Sequence, residues 1–288
     1  MNLPFARGRQ GRFRIIQECS MKKCPMLRLA LFALLFVLLP ASSLAAEPQK
    51  NPPAYANSIG MEFVLIPAGS FQVATRKDEF GENVFGEAII SKPFYLGKYP
   101  VTQEQWLAVM GNNPAFFKGR RHPVEMVSWD DVQEFIKRLN SKEGHKRYRL
   151  PTEMEWEFAA RGGTRTKYFF MKDPKKWEEA EGPLADYAWC RGNAGDVTHP
   201  VGQKKPNPYG LYDVYGNVFE WVQDWYAKEL PASREFTDYR GPATGESRVN
   251  RGGSWYYEAE YCRSDKRDYD TPDYRDSDLG FRLALSLE

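Results

Sequence analysis

Apolar residues at helical spacing, bounded by capping residues, predict three short helices in the first half of the chain. The first helix begins at the capping-box sequence Thr102–Gln105 and ends at Gly111. The second begins at Ser128, and its apolar side chains recur at helical spacing. The third begins at another capping-box sequence, Thr152–Glu155, and ends at Gly162.

Strand and loop patterns account for the remaining sequence. Residues 61–74 combine β-branched and aromatic residues with turn residues, which predicts a strand or a hairpin. Beyond residue 164 the pattern indicates loops, aromatic residues and short strands. No linker or repeat interrupts residues 58–288, so we predict a single α+β domain with much irregular structure. A Pro-rich lead-in at residues 46–57 precedes it.

The N-terminal segment has the pattern of an export signal. Basic residues precede the uncharged apolar run Leu29–Leu39, and small residues follow at Ser43 and Ala45. This run is short for a spanning helix, which needs roughly 20 apolar residues. We therefore predict a signal peptide over residues 1–45, cleaved to leave a periplasmic or secreted protein without a stable membrane anchor. A retained anchor is the alternative, and both Met1 and Met21 are candidate starts.

Removing that segment changes the charge balance. The chain has a net charge of +2, whereas residues 46–288 hold 33 basic and 37 acidic residues. A mildly acidic domain without a basic run is a poor binder of nucleic acid. Three widely spaced histidines argue against an iron or zinc site built on several histidines. Cys190 and Cys262 remain after export, and the sequence leaves open whether they pair.

Seven segments, taken together and in this order, resemble the formylglycine-generating enzyme (sulfatase-modifying factor) family. The resemblance implies that family's fold, a compact α+β domain related to C-type lectins, over nearly the whole exported chain. The segments are FVLIPAGSF (63–71), YPVTQEQW (99–106), HPVEMVSWDD (122–131), YRLPTEMEWEFAARGG (148–163), THPVGQKKPNPYGLYDVYGNVFEW (198–221), RVNRGGSW (248–255) and LGFRL (279–283).

The family's namesake reaction oxidises a cysteine with O2 and uses two active-site cysteines that bind Cu(I). The family pattern places them three and eight residues after the Ser of the RGGS motif. Ser254 and Cys262 match and are the candidate catalytic residues, whereas Tyr257 stands where the first cysteine is expected. A phenol is a poor ligand for Cu(I), so we do not expect copper as a cofactor. Phe219 also replaces the family's active-site Trp.

The resemblance also implies a calcium site. The family's calcium loop has the pattern N-x-x-G-x-[AV]-x-E, which matches here with Asp in first position. Carboxylates and backbone carbonyls suit a hard cation such as Ca²⁺. The predicted ligands are Asp213 and Glu220 through their carboxylates and Gly216 and Val218 through their carbonyls. The alternative is that the two carboxylates accept hydrogen bonds from loop amides.

The C-terminal segment after RGGSW is rich in Tyr and Asp. Tyr offers rigid amphipathic contact area and Asp offers hydrogen-bond acceptors, so this segment is a candidate ligand-binding face. It also resembles the variable segment of retroelement-diversified receptors that share the fold. The alternative is a polar surface left after an ancestral active site lost its role. The candidate ligand-binding residues are Tyr256, Tyr257, Tyr261, Tyr269 and Tyr274.

Two functions therefore compete. The first is an exported divergent member of the family that matures or oxidises an unknown substrate without standard copper-dependent cysteine oxidation. The second is a non-catalytic ligand-binding protein on the same fold. In both cases we expect a monomer whose partner is a protein, a peptide or a small molecule.

Overall fold

The three longer helices begin and end at the predicted capping residues. The computed structural model describes residues 54–172 and 181–287. In each longer helix the N-cap side chain accepts a hydrogen bond from the backbone N–H three residues further along the chain. Each of these helices ends at a Gly with positive φ. Helix α4 was not predicted from the sequence. The helices are α1 Gln103–Met110, α2 Trp129–Glu143, α3 Glu153–Arg161 and the short α4 Glu181–Leu184.

Twelve strands are described, and they form three small sheets. Their order is β1-β2-β5-β12-β6 in the first sheet, β10-β9-β7-β11 in the second and β3-β4-β8 in the third. The strands are β1 Ala54–Ala56, β2 Glu62–Ile66, β3 Gly69–Lys77, β4 Asn83–Ile90, β5 Phe94–Gly97, β6 Tyr148–Arg149, β7 Phe219–Trp225, β8 Glu235–Thr237, β9 Arg248–Arg251, β10 Arg267–Asp270, β11 Leu279–Phe281 and β12 Ala284–Leu285.

The segment 61–74 forms two strands that do not pair as a hairpin. Strand β2 pairs with β1 and β5, whereas β3 pairs with β4 in a different sheet. The hairpin alternative is therefore wrong, because Pro67 and Ala68 carry the chain from one sheet to another instead of reversing it within one. The end of the Pro-rich lead-in contributes β1, which lies at the edge of the first sheet.

Aromatic side chains organise the two hydrophobic clusters of the core. In one cluster the ring of Trp106 stacks on Phe135 at 5.2 Å, and Phe281 meets the Phe135 ring edge-on at 5.4 Å. This cluster joins α1 and α2 to β11. The other cluster contains Trp156 of α3, Val249 of β9 and both described cysteines. The second sheet therefore lies between the two clusters.

Buried ion pairs fix the strands of the second sheet to one another and to helix α3. Arg251 of β9 pairs with Glu157 of α3, and both side chains are almost fully buried. Arg282, directly after β11, pairs with Glu220 of β7 at 2.6 Å, again with both side chains buried. A buried charge is tolerated when it is paired and hydrogen-bonded, so these arginines hold β7, β9 and β11 in a defined arrangement.

The described residues, 54–172 and 181–287, belong to one compact unit. The predicted signal peptide lies outside the described residues. No helix within residues 54–172 and 181–287 is long and apolar enough to cross a bilayer.

The packing of β11 against the 122–131 segment gives a stability prediction. A Cβ added to Gly280 would overlap the carbonyl oxygen of Val124, whereas a Cβ on Gly192 meets nothing within 4 Å. We expect Gly280→Ala to lower the free energy of unfolding by about 1–3 kcal/mol, the usual cost of overpacking. Gly192→Ala is the matched control and should change it by less than about 0.5 kcal/mol. Urea unfolding measures both, and equal midpoints would show that β11 can move away from Val124.

Candidate ligand-binding site

A cavity of about 410 Å³ opens at one end of the second sheet. Its wall is formed by the start of β7 and of β11, by the β9–β10 pair and by the loops that follow β9 and β10. This volume is within the range of small-molecule sites. The cavity is lined by acidic and aromatic side chains, and none of its lining residues is basic.

Four carboxyl groups line the cavity, namely Asp268, Asp270, Asp276 and Asp278. Burial raises the pKa of Asp270 to about 6, and the neighbouring charges of Asp268 and Asp276 act in the same direction. Burial likewise raises the pKa of Asp278 to about 6, with Asp276 and Asp270 adding to the shift. Neighbouring carboxyl groups and burial thus both disfavour the charged forms of Asp270 and Asp278.

Aromatic rings form the other part of the wall. Tyr257 lies edge-on to Phe219 at 5.3 Å between ring centroids and to Tyr256 at 5.5 Å. Tyr274 donates a hydrogen bond from its hydroxyl to Asp276 Oδ2 at 2.8 Å. Trp255 also lines the cavity, and its indole N–H donates to the Ser277 carbonyl at 3.1 Å. Aromatic rings and carboxyl groups therefore share one cavity.

The cavity brings together three of the five candidate tyrosines, which are Tyr256, Tyr257 and Tyr274. The other two do not line it. Tyr261 lies behind Tyr257, with a centroid separation of 5.0 Å. Tyr269 points to the opposite side of β10 and stacks on Tyr226 at 3.8 Å. Successive residues of a strand point to opposite faces, so Tyr269 is separated from Asp268 and Asp270.

Asn250 also lines the cavity, although no pattern in the sequence indicated it as a site residue. It is 2% exposed, its amide Nδ2 donates to Asp270 Oδ2 at 2.9 Å, and its Oδ1 has no hydrogen-bond partner. A buried acceptor without a partner is uncommon and calls for an explanation. The signal that would have identified this residue is the pairing of β9 with β10, which places Asn250 opposite Asp268.

The candidate catalytic residues lie next to this cavity but do not line it. Ser254 and Cys262 are both 0% exposed. The Ser254 hydroxyl donates to Asp278 Oδ2 at 2.7 Å, and the Cys262 thiol lies 3.9 Å from the Ser254 carbonyl oxygen. Ser254 therefore orients a carboxyl group of the wall, and Cys262 lies beneath it.

The structure brings Cys190 and Cys262 together, which the sequence alone left open. The two thiols are joined by a side-chain hydrogen bond, and no disulfide links them. That hydrogen bond, followed by burial, raises the pKa of Cys262 well above its usual value. The backbone N–H of Arg191 donates to the Tyr257 carbonyl at 3.0 Å and ties the two segments together. The Cys262 thiol is therefore kept protonated, which weakens it as a nucleophile or metal ligand.

The predicted calcium ligands are close together but are largely engaged by the protein. Both Glu220 oxygens pair with Arg282, and Trp156 also donates to Glu220 Oε2. Asp213 accepts a bond from the Gly202 N–H at 2.7 Å through Oδ2, while its Oδ1 has no partner. Burial raises the pKa of Asp213 to about 6. Within the described part of the chain, no group of three or more His, Cys, Asp or Glu could hold a metal ion.

In this arrangement the ligand set does not fit calcium well, because Glu220 has no oxygen to spare for a cation. Binding through Glu220 would require Arg282 to move, and Arg282 is also buried. Calcium therefore stays a prediction, and no property of the cavity depends on it.

The fold and the motifs place the chain in a known family. Residues 48–287 match the family model described as sulfatase-modifying factor enzyme 1-like domain. The chain therefore belongs to that family. It is 38% identical over 222 residues to the formylglycine-generating enzyme of Thermomonospora curvata, a match that covers 71% of this chain and 68% of that protein. It is also 32% identical over 242 residues to the chaperone protein LppX of Paenibacillus barcinonensis, covering 69% and 80%.

The solved structure of Treponema denticola variable protein 1 has the same fold. The two superpose with a TM-score of 0.70 at 34% identity, and the match covers 81% of this chain and 98% of the other. The predicted α+β fold of the formylglycine-generating enzyme family is thereby confirmed.

Thermal unfolding tests calcium binding. If the ion binds as predicted, Ca²⁺ at 100 times its dissociation constant should stabilise the protein by about 2.7 kcal/mol relative to a chelator. Asp213→Ala should then remove most of this increment, while Asp186→Ala, an exposed carboxylate paired with Lys205, should preserve it. If the melting curves with Ca²⁺ and with chelator coincide, Asp213 and Glu220 bond only to groups of the protein and hold no ion.

Oxidation tests the contact between the two cysteines. With glutathione disulfide as the oxidant, we expect the two thiols to lose two electrons and two protons and form a disulfide, while the oxidant is reduced to two glutathione thiols. The crosslink should stabilise the fold by about 4 kcal/mol in the chain-entropy account. Non-reducing peptide mapping detects the 190–262 linkage, and Cys190→Ser is the control. Two separate glutathione adducts without a crosslink would contradict the contact.

Proposed function

We propose that this protein is a ligand-binding member of the family that does not carry out copper-dependent cysteine oxidation. The observation that carries the proposal is the composition of the cavity wall, in which Tyr257 stands where the family pattern has a cysteine and Cys262 is sealed beneath. Cu(I) prefers thiolates, and the cavity offers phenols, carboxyl groups and an amide instead. These groups suit recognition by hydrogen bonds and aromatic contacts.

Two of the similar proteins carry names other than that of the namesake reaction. The family includes a protein named as a chaperone, which matches this chain at 32% identity. It also shares its fold with a protein titled a variable protein. Members of one fold often differ in function, so the site and not the fold carries the argument.

The place of action follows from the N-terminal sequence. We propose export to the periplasm or the exterior after cleavage behind Ala45, because a basic segment, a short apolar run and small residues occur in that order. The exported domain would act as a monomer on a protein, peptide or small molecule.

A second candidate is maturation or oxidation of a substrate, and the Cys190–Cys262 contact favours it. Cu(I) chemistry in this family requires two cysteine sulfurs, and this chain has two that are adjacent. One of them, Cys190, comes from a different segment than the family pattern uses. Titration with Cu(I) discriminates between the two candidates. A single tight Cu(I) site that is lost in Cys190→Ser would support this second candidate.

A peptide assay tests the proposed function. We expect the purified domain, loaded with copper and supplied with O2, to leave a Cys-x-Pro-x-Arg peptide unmodified, because Tyr257 cannot replace a thiolate. A two-cysteine member of the family is the positive control. Mass spectrometry of the peptide measures the conversion, and a rate comparable to the control would refute the proposal. Tyr257→Cys should increase Cu(I) binding. It should restore turnover only if the other residues of the pocket still support the reaction.

A further inference from the structure

We propose that the cavity binds an organic cation, an alkylammonium or guanidinium group carried by a small molecule or by a Lys or Arg side chain. The inference deepens the proposed function and rests on it. Three independent features of the cavity support it, and they are its charge, its aromatic faces and its unsatisfied acceptor.

The first feature is uncompensated negative charge. Four carboxyl groups face one space, and no lining residue carries a positive charge. Arg275 and Arg191 lie nearby, but each pairs with a carboxylate that does not line the cavity. Arg275 pairs with Asp131 at 2.7 Å, and Arg191 lies 3.5 Å from Glu258. A cation entering the cavity would therefore meet carboxyl groups that lack an ionic partner in the protein.

The second feature is the aromatic wall. The rings of Tyr256, Tyr257 and Tyr274 line the same space as the carboxyl groups. The face of an aromatic ring attracts a cation within about 6 Å of its centroid, and this attraction grows when the site is shielded from water. The surface already shows this preference, since the Arg191 guanidinium lies over the Tyr256 ring at 5.4 Å. An anionic ligand would be repelled by the same wall.

The third feature is the Asn250 acceptor. Its Oδ1 is buried without a partner at the wall of the cavity. Asp268 and Asp270 of the paired strand β10 lie beside it, and carboxylates accept hydrogen bonds instead of donating them. No described group of the protein donates to this oxygen, so a water molecule or a bound ligand can supply the donor. An ammonium or guanidinium group supplies several N–H donors and no acceptor, which matches a wall of acceptors.

Binding of simple probes tests the inference. Butylamine and butylguanidine represent the free cation, and acetyl-Gly-Arg-Gly-amide represents a side chain in a peptide. Butanol and butyrate are the neutral and anionic controls of similar size. Calorimetry, together with the fluorescence of Trp255 in the wall, should detect the cations and not the controls. Tighter binding of the peptide than of butylguanidine would indicate a peptide source, and the reverse a small molecule.

Matched variants locate the binding site. Asp268→Asn and Asp270→Asn each remove one charge while keeping shape, and each should weaken cation binding about tenfold, as expected for loss of a charged hydrogen bond. Asp273→Asn is the control, because Asp273 is an exposed residue of the same segment outside the cavity and bonds Thr271. Among the described residues, the Asp268 carboxylate accepts a hydrogen bond only from the backbone N–H of Tyr269. The Asp268→Asn variant should therefore fold normally.

Affinity should also depend on pH. The carboxyl groups of Asp270 and Asp278 have pKa values raised to about 6, with Asn250, Ser254, Asp268 and Asp276 as the groups around them. Since a cation binds the ionised form, affinity should fall as the pH is lowered through 6, whereas hydrophobic binding would not change. The same pH series with Asp270→Asn should show a shallower fall.

The outcomes separate this inference from the proposed function. Binding of butanol or butyrate in the cavity, without binding of the cations, would overturn the cation inference and leave a ligand-binding protein. Failure of every probe to bind, combined with oxidation of the peptide substrate, would overturn both. Cation binding that is equally strong in Asp268→Asn, Asp270→Asn and Asp273→Asn would place the cation elsewhere and also refute the inference.

Discussion

The buried ion pair between Arg282 and Glu220 is the interaction on which the second sheet and its cavity depend. Beyond the two contacts with Glu220, the guanidinium donates to the carbonyls of Gly97, Tyr212 and Asp213. One side chain thus ties the end of β5, the 212–213 loop and β7 to the segment after β11. Removing one partner of such a pair usually costs about 3–5 kcal/mol, because a charge is left buried without compensation.

The cavity lies at the end of the same two strands. Phe219 begins β7 and Leu279 begins β11, and these strands run parallel with Leu279 opposite Phe219. The Phe219 N–H donates to the Asp278 carbonyl at 2.7 Å. The ion pair therefore fixes the backbone that presents Asp276 and Asp278 to the cavity. A rigid backbone is required to hold several carboxyl groups close together, because their mutual repulsion would otherwise separate them.

The family pattern places two cysteines at one active site, whereas in this chain the cavity and the cysteine pair are separate features. A cysteine at position 257 would line the cavity, but the chain has Tyr257 there and a second cysteine, Cys190, beneath the wall. The wall is consequently a recognition surface of phenols and carboxyl groups, while the sulfurs are packed in the hydrophobic core. Buried sulfur in an apolar cluster contributes packing and, when a partner is adjacent, a potential crosslink.

The three longer helices, the family and the poor match to a copper site could be predicted from the amino-acid sequence alone. Those features depend on local signals, such as capping boxes, glycine C-caps and the spacing of Ser254, Tyr257 and Cys262. The sequence also indicated the Tyr- and Asp-rich segment as a candidate binding face, but it did not show which of its residues line the cavity. Only the tertiary structure excluded Tyr269, added Asn250 and joined Cys190 to Cys262. The reason is physical, because strand register and contacts between distant segments are set by packing of the whole domain, which no local pattern encodes.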